Sequence, residues 1–136
     1  MDKTLLDTLK KGGKAQLLSW GRHEGIRGAV WLQFHADGRL IEQRYIPNQN
    51  GSVTNTLLGH LSPERFNDLV KKVASIPADD LFRDATGVDP SYLVTLECIC
   101  DQTAWQWKIV PSEIAQRDSL KQLANAFSSL VSELPK

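Results

Sequence analysis

The sequence predicts an α+β fold: one domain over residues 1–136, with a single antiparallel sheet of about five strands and helices packed on it in the order α-β-β-β-α-β-β-α. Three observations predict it. Alternating runs meet at Asp37-Gly38, a second pair meets at Asp101-Gln102, and each of these hairpins is followed by a stretch with apolar residues at helical spacing.

The composition allows this reading and removes others. At 136 residues, with 41% hydrophobic and 24% charged side chains, the chain has the make-up of a globular domain rather than a disordered or membrane-spanning one. Sixteen basic residues balance sixteen acidic ones, so no basic footprint points to nucleic acid. Asp2, Lys3, Asp7, Lys10 and Lys11 interrupt the leucines of the first turns, so no signal-peptide core is visible and a cytoplasmic location is expected.

Leu5, Leu6 and Leu9 give the first helix, Lys3 to Lys11, which ends at Gly12-Gly13 and is expected to be loosely docked over residues 1–13. Strands follow at Ala15 to Trp20, Gly28 to Ala36 and Arg39 to Ile46, the last two joined by Asp37-Gly38 as a two-residue hairpin turn. Asn48 to Asn55 is polar and contains Gly51, so it is expected to be a surface loop. Ser62 as N-cap, Pro63 at the first position and Glu64 in the first turn start the next helix. Its stripe is Phe66, Leu69, Val70, Val73 and Ile76, ending before Pro77. The second hairpin pairs Tyr92 to Cys100 with Thr103 to Val110, and a last helix runs from about Asp118, the expected cap, to Leu134. A shift of 64 residues lays Asp101 on Asp37 and Pro111 on Pro47, which raises the question of an internal duplication.

Hairpin register assigns faces. Two-residue turns place Cys98 opposite Trp105, Leu96 opposite Trp107 and Val94 opposite Ile109, all toward the core, with Glu97, Gln106, Thr95 and Lys108 on the other side. In the first hairpin the same logic turns Val30, Leu32, Phe34, Ile41 and Tyr45 inward. Trp31 then lies opposite Arg44 and Gln33 opposite Glu42 on the outer face.

These faces nominate the candidate residues. Trp31, Gln33, Glu42 and Arg44 form a predicted partner-binding patch, since an outward aromatic beside an arginine has the composition of an interaction hot spot. An alternative stands beside it, in which the first helix crosses this face and buries Trp31. Arg22, His23 and Glu24, flanked by Gly21 and Gly25, are loop candidates without any accompanying catalytic motif. Cys98 and Cys100 on one strand stand roughly 6 to 7 Å apart, too far for a disulfide, and read as buried thiols. Asp79, Asp80, Asp84 and Asp89 do not fit a calcium loop and read as solvated charges. No metal, cofactor or membrane is expected, and catalysis is not expected.

The element order resembles that of class I type III secretion chaperones over the whole chain. From Ala15 onward the succession of hairpin, long helix, hairpin and helix is also similar to small emfourin-like metalloprotease inhibitors. The first resemblance implies a homodimer that binds an extended segment of a client. The leading expectation, drawn from the outward aromatic and the missing catalytic motifs, is a non-catalytic protein-binding module (adaptor, inhibitor or chaperone-like) that uses the outer sheet face, with a protein partner and a homodimer among its assemblies. The alternative is a small-ligand-binding protein or enzyme with a pocket between helices and sheet, near Tyr92, Trp105, Trp107 and His23. A third reading has an exposed strand edge pairing with its own copy.

Overall fold

The computed structural model describes residues 7–9, 11, 14–23, 28–47, 51–76 and 94–134. They form six strands and three bounded helices: β1 Ala15–His23, β2 Ala29–His35, β3 Arg39–Ile46, β4 Ser52–His60, α1 Pro63–Ala74, β5 Val94–Cys100, β6 Thr103–Ile109, α2 Pro111–Gln116 and α3 Asp118–Ser132. Residues 7–9 are also helical. The sheet is antiparallel throughout, in the order β4-β3-β2-β1-β5-β6. The predicted α+β class with one antiparallel sheet holds, with six strands in place of about five.

The extra strand is β4. Its start coincides with the expected loop, yet Ser52 to His60 pairs with β3 along its length. The strand occupies a sheet edge, and Val53 to Leu57 are all exposed, so no face-dependent alternation marks it. A bulge at Leu58-Gly59, both opposite Leu40, ends the regular pairing.

One cluster of apolar side chains lies on one side of the sheet. Leu18, Phe34, Leu40, Leu96, Cys98 and Trp107 from the strands meet Phe66, Leu69 and Val73 of α1 and Leu120, Leu123, Phe127 and Leu130 of α3. Leu9 joins the same cluster, and Ile114 of α2 packs against it. α1 begins as its sequence dictates, with the Ser62 hydroxyl accepting from the Arg65 N–H at 3.3 Å. At α3 the expected cap is displaced: Arg117 holds the cap position and Asp118 is the first helical residue, favourable to the helix dipole. Arg65 near the start of α1 pairs with Glu133 at the end of α3 at 3.0 Å, and Ser75 and Ile76 after α1 line a cavity with Ser119 and Leu123 near the start of α3, so the two helices run antiparallel.

The two hairpins differ in their turns. Asp101 and Gln102 both take positive φ, 52° and 69°, giving a two-residue turn whose register is the predicted one: Cys98 with Trp105, Leu96 with Trp107, Val94 with Ile109. In the first hairpin only Gly38 has positive φ, 99°, and Phe34 pairs with Leu40, so the loop holds three residues, Ala36, Asp37 and Gly38. The Gly38 N–H donates to the His35 carbonyl at 3.0 Å, and Leu61 N–H donates to the Gly38 carbonyl at 2.8 Å. That one extra residue exchanges the faces of β3. Leu40, Glu42 and Arg44 lie on the helix side, and Ile41, Gln43 and Tyr45 lie on the outer side, the reverse of the expectation. The shift of 64 residues consequently lays helix-side Trp105 onto outer-face Ile41, so the two hairpins do not superpose by face.

Candidate functional site

The outer face of the sheet can be read row by row across the strands. One row runs Leu57, Ile41, Gln33, Ser19, Glu97, Gln106, and the next runs Asn55, Gln43, Trp31, Gly21, Thr95, Lys108. Trp31 sits in the middle strands of the second row. Its indole lies over Gly21: a Cβ built at that glycine would fall 1.7 Å from Trp31 Cδ1. Gly21 thus vacates the space the ring fills, the close approach for which a strand glycine is suited. The His23 ring meets Trp31 edge-on, with centroids 5.5 Å apart and planes at 89°.

Around the indole, Gln33, Gln43, Glu97 and Gln106 wall a shallow depression of about 160 Å³ with Ser19 and Thr95. Ser19 and Thr95 are only 3% and 5% exposed, sunk below longer neighbours on the same face. The Gln43 amide donates to Asn55 Oδ1 at 3.1 Å and extends this polar set toward β4. The depression offers amide donors and acceptors, one carboxylate and an aromatic plane. No group of three or more His, Cys, Asp or Glu side chains suited to a metal ion occurs among the described residues.

The predicted patch is divided between two faces. Trp31 and Gln33 are outer, whereas Glu42 and Arg44 are on the helix side, paired with each other at 3.4 Å. Trp31 is half-buried rather than fully covered, and Leu9, the described leucine of the N-terminal helix, goes to the helix-side cluster instead of this face. Arg22 and His23 end β1 rather than a loop, and point to opposite sides because they are consecutive in a strand. Glu24, Tyr92, Asp79, Asp80, Asp84 and Asp89 lie outside the described residues. Trp107 is in the core, Trp105 is half-buried beside it, and His23 is on the far face, so these three do not line one pocket.

Arg22 and Arg44 instead share a cleft on the helix side. Its floor is Trp20, Val30 and Leu32, its wall is Phe127, Ser128 and Val131 of α3, and its volume is about 320 Å³. Trp20 stacks on Phe127, centroids 5.5 Å apart at 21°, and Val131 of the expected stripe stays 48% exposed at the rim.

Cys98 and Cys100 are buried free thiols of the core, as expected. Burial first, then the neighbouring Cys100 and Glu97, pushes the Cys98 thiol up to about 12. Cys100 is also raised, by burial and then by Asp101. Neither thiol has the lowered pKa that nucleophilic or redox chemistry uses. Gly21, Gln43, Ser19, Thr95, Glu97 and Gln106 are the site residues that the sequence did not nominate, although hairpin register places Thr95, Glu97 and Gln106 on the outer side. Gly21 was legible as an unusual strand glycine only once β1 was known to run to His23.

No protein-family model matches the chain, and no curated protein matches it. No helix among the described residues is long and apolar enough to cross a membrane.

Proposed function

We propose that this chain is a non-catalytic protein-binding module that engages its partner with the outer sheet face around Trp31. One observation carries the reading. The described helices send their apolar residues to the opposite side, and the face they leave presents a tryptophan preorganised by Gly21 and His23 among four long polar side chains. A rigid aromatic anchor within adaptable hydrogen-bonding groups is the composition that concentrates binding energy. Both cysteine thiols lie in the helix-side core, away from this surface, and burial raises their pKa.

Affinity capture from the source cells with the wild-type chain, followed by titration of the captured partner, tests the reading. Trp31→Ala should weaken binding by at least about tenfold, the scale of a hot-spot aromatic. Arg44→Ala, on the other face, should leave it unchanged. The opposite pattern, loss with Arg44→Ala and none with Trp31→Ala, would transfer the function to the cleft of Arg22 and Arg44, whose two cations over an apolar floor suit a carboxylate with an apolar body.

A further inference from the structure

We infer that β4 is a self-pairing edge through which two copies of this chain join their sheets, antiparallel about a two-fold axis at Asn55. β4 ends the sheet, and five consecutive residues, Val53 to Leu57, are exposed. A strand in that position offers a row of unpaired backbone groups, and proteins that stay single blunt it with charge, proline or a bulge. Val53-Thr54-Asn55-Thr56-Leu57 contains neither charge nor proline, and the bulge at Leu58-Gly59 leaves this stretch regular. The opposite edge, β6, carries Lys108.

The sequence of the edge is complementary to itself. Antiparallel pairing centred on Asn55 sets Val53 opposite Leu57 of the second copy, Thr54 opposite Thr56, and Asn55 opposite Asn55. Val53 and Leu57 are 53% and 54% exposed, the largest exposures among the large apolar side chains of the described strands, and both lie on the outer face beside Tyr45 and Ile41. Pairing covers each with the other and continues an apolar strip, Tyr45-Val53 to Leu57-Ile41, in both directions across the axis. Between the two strips, the hydrogen bond from Gln43 to Asn55 places amides on the axis from both sides. On the helix side the rows read Arg44-Thr54 and Glu42-Thr56, so the two-fold brings Arg44 into line with Glu42 of the second copy and no like charges meet. Opposed residues of an antiparallel pair share a face, so both helix layers stay on one side and both Trp31 surfaces on the other.

Sedimentation equilibrium of the whole chain, with circular dichroism as the check on folding, tests the inference. The wild type should form a dimer. Asn55→Lys, which sets two like charges opposite on the axis, should lower the association constant by at least about tenfold with an unchanged spectrum. Thr103→Lys on β6 should leave it unaltered. Directly opposed residues lie about 4.5 to 5.5 Å apart at Cα, within disulfide reach. Val53→Cys mixed with Leu57→Cys should therefore cross-link on oxidation far more completely than either alone, with the buried native thiols silent. A chain that remains monomeric at the highest concentration reached, or a dimer indifferent to Asn55→Lys, overturns the inference. Equal cross-linking by either cysteine variant alone overturns the register.

Discussion

The hairpins β2-β3 and β5-β6 lie on either side of β1, and their turns read in opposite order of strength. Asp37-Gly38 is a strong hairpin dipeptide, whereas Asp101-Gln102 is an uncommon one. Yet the uncommon turn closes with two residues and sets the expected register, and the strong one closes with three and shifts β3 by one. Local chemistry explains the first loop. Asp37 keeps negative φ and its carboxylate accepts from the Arg39 N–H at 3.1 Å, so glycine alone takes the left-handed conformation. Packing then decides: Leu40 is fully buried opposite Phe34, a position the two-residue turn would have given to solvent. Counting apolar residues did not reveal this, because past Leu40 the strand carries Glu42 and exposed Arg44 on its helix-side face and keeps Ile41 and Tyr45 outside.

The largest expected effect comes from separating the turn of the first hairpin from the residue that packs beside it. Leu40→Ala, which empties the buried position opposite Phe34, should cost about 4 kcal/mol in urea unfolding, whereas deleting Ala36 while converting Asp37→Asn leaves an Asn-Gly two-residue turn that still sets Phe34 opposite Leu40 and should cost far less. Converting Asp101→Asn with Gln102→Gly keeps the turn length and relieves a left-handed glutamine, and should stabilise by about 1 kcal/mol. If Leu40→Ala were neutral, the register of β3 would rest on its turn and hydrogen bonds and not on Leu40.

Each hairpin also contributes a tryptophan, on opposite faces. Trp107 is 1% exposed within the core, and Trp107→Ala should cost about 3 to 5 kcal/mol. Its indole N–H is buried without an acceptor among the described residues, so Trp107→Phe, which removes that donor, should cost clearly less than the alanine variant. Trp31 is half-buried on the open face, and Trp31→Ala should cost about 1 kcal/mol. Equal losses in the same urea titrations would mean that the outer face is as much a core as the inner one.

What was legible in the sequence followed how fully each element is buried. α1 and α3, whose stripes end in the core at Phe66, Leu69, Val73, Leu120, Leu123, Phe127 and Leu130, were readable, as was β5-β6, which alternates over a covered face. β4 was not, because exposed residues leave no alternation; its β-branched Val53, Thr54 and Thr56 were the remaining signal. α2 was not, because it buries no residue, leaving only Pro111 at its start. Of the site, Trp31 and Gln33 were legible from β2, whose faces were assigned correctly. Glu42 and Arg44 were misplaced by the single loop residue; Thr95, Glu97 and Gln106 had the right face but joined the site, with Ser19, Gly21 and Gln43, only when strand order brought β5 beside β1 and the register placed β3.

The smallest effects separate the hairpins by pH. In β5-β6 the folded Cys98 thiol sits near 12 against 9.0 for an ordinary one. Its contribution is present in full below the ordinary thiol range and is lost as pH rises through that range toward the folded value. In β2-β3 the shifts run downward. Burial, then Arg39, lowers His35, so its unfolded imidazole binds protons more readily and stability falls as the solution is acidified through the ordinary histidine range. Asp37 is lowered first by the Arg39 backbone N–H, so what it contributes is present above the usual aspartate range and is lost as pH falls through its folded value. Urea midpoints across pH should therefore decline at both ends for different reasons. Cys98→Ala should flatten only the alkaline limb, and His35→Gln only the mildly acidic one, whatever their effect on absolute stability. If either variant flattened the other's limb, the two hairpins would be electrostatically coupled through β1, and the division between a register set by turn chemistry and one set by packing would no longer separate them.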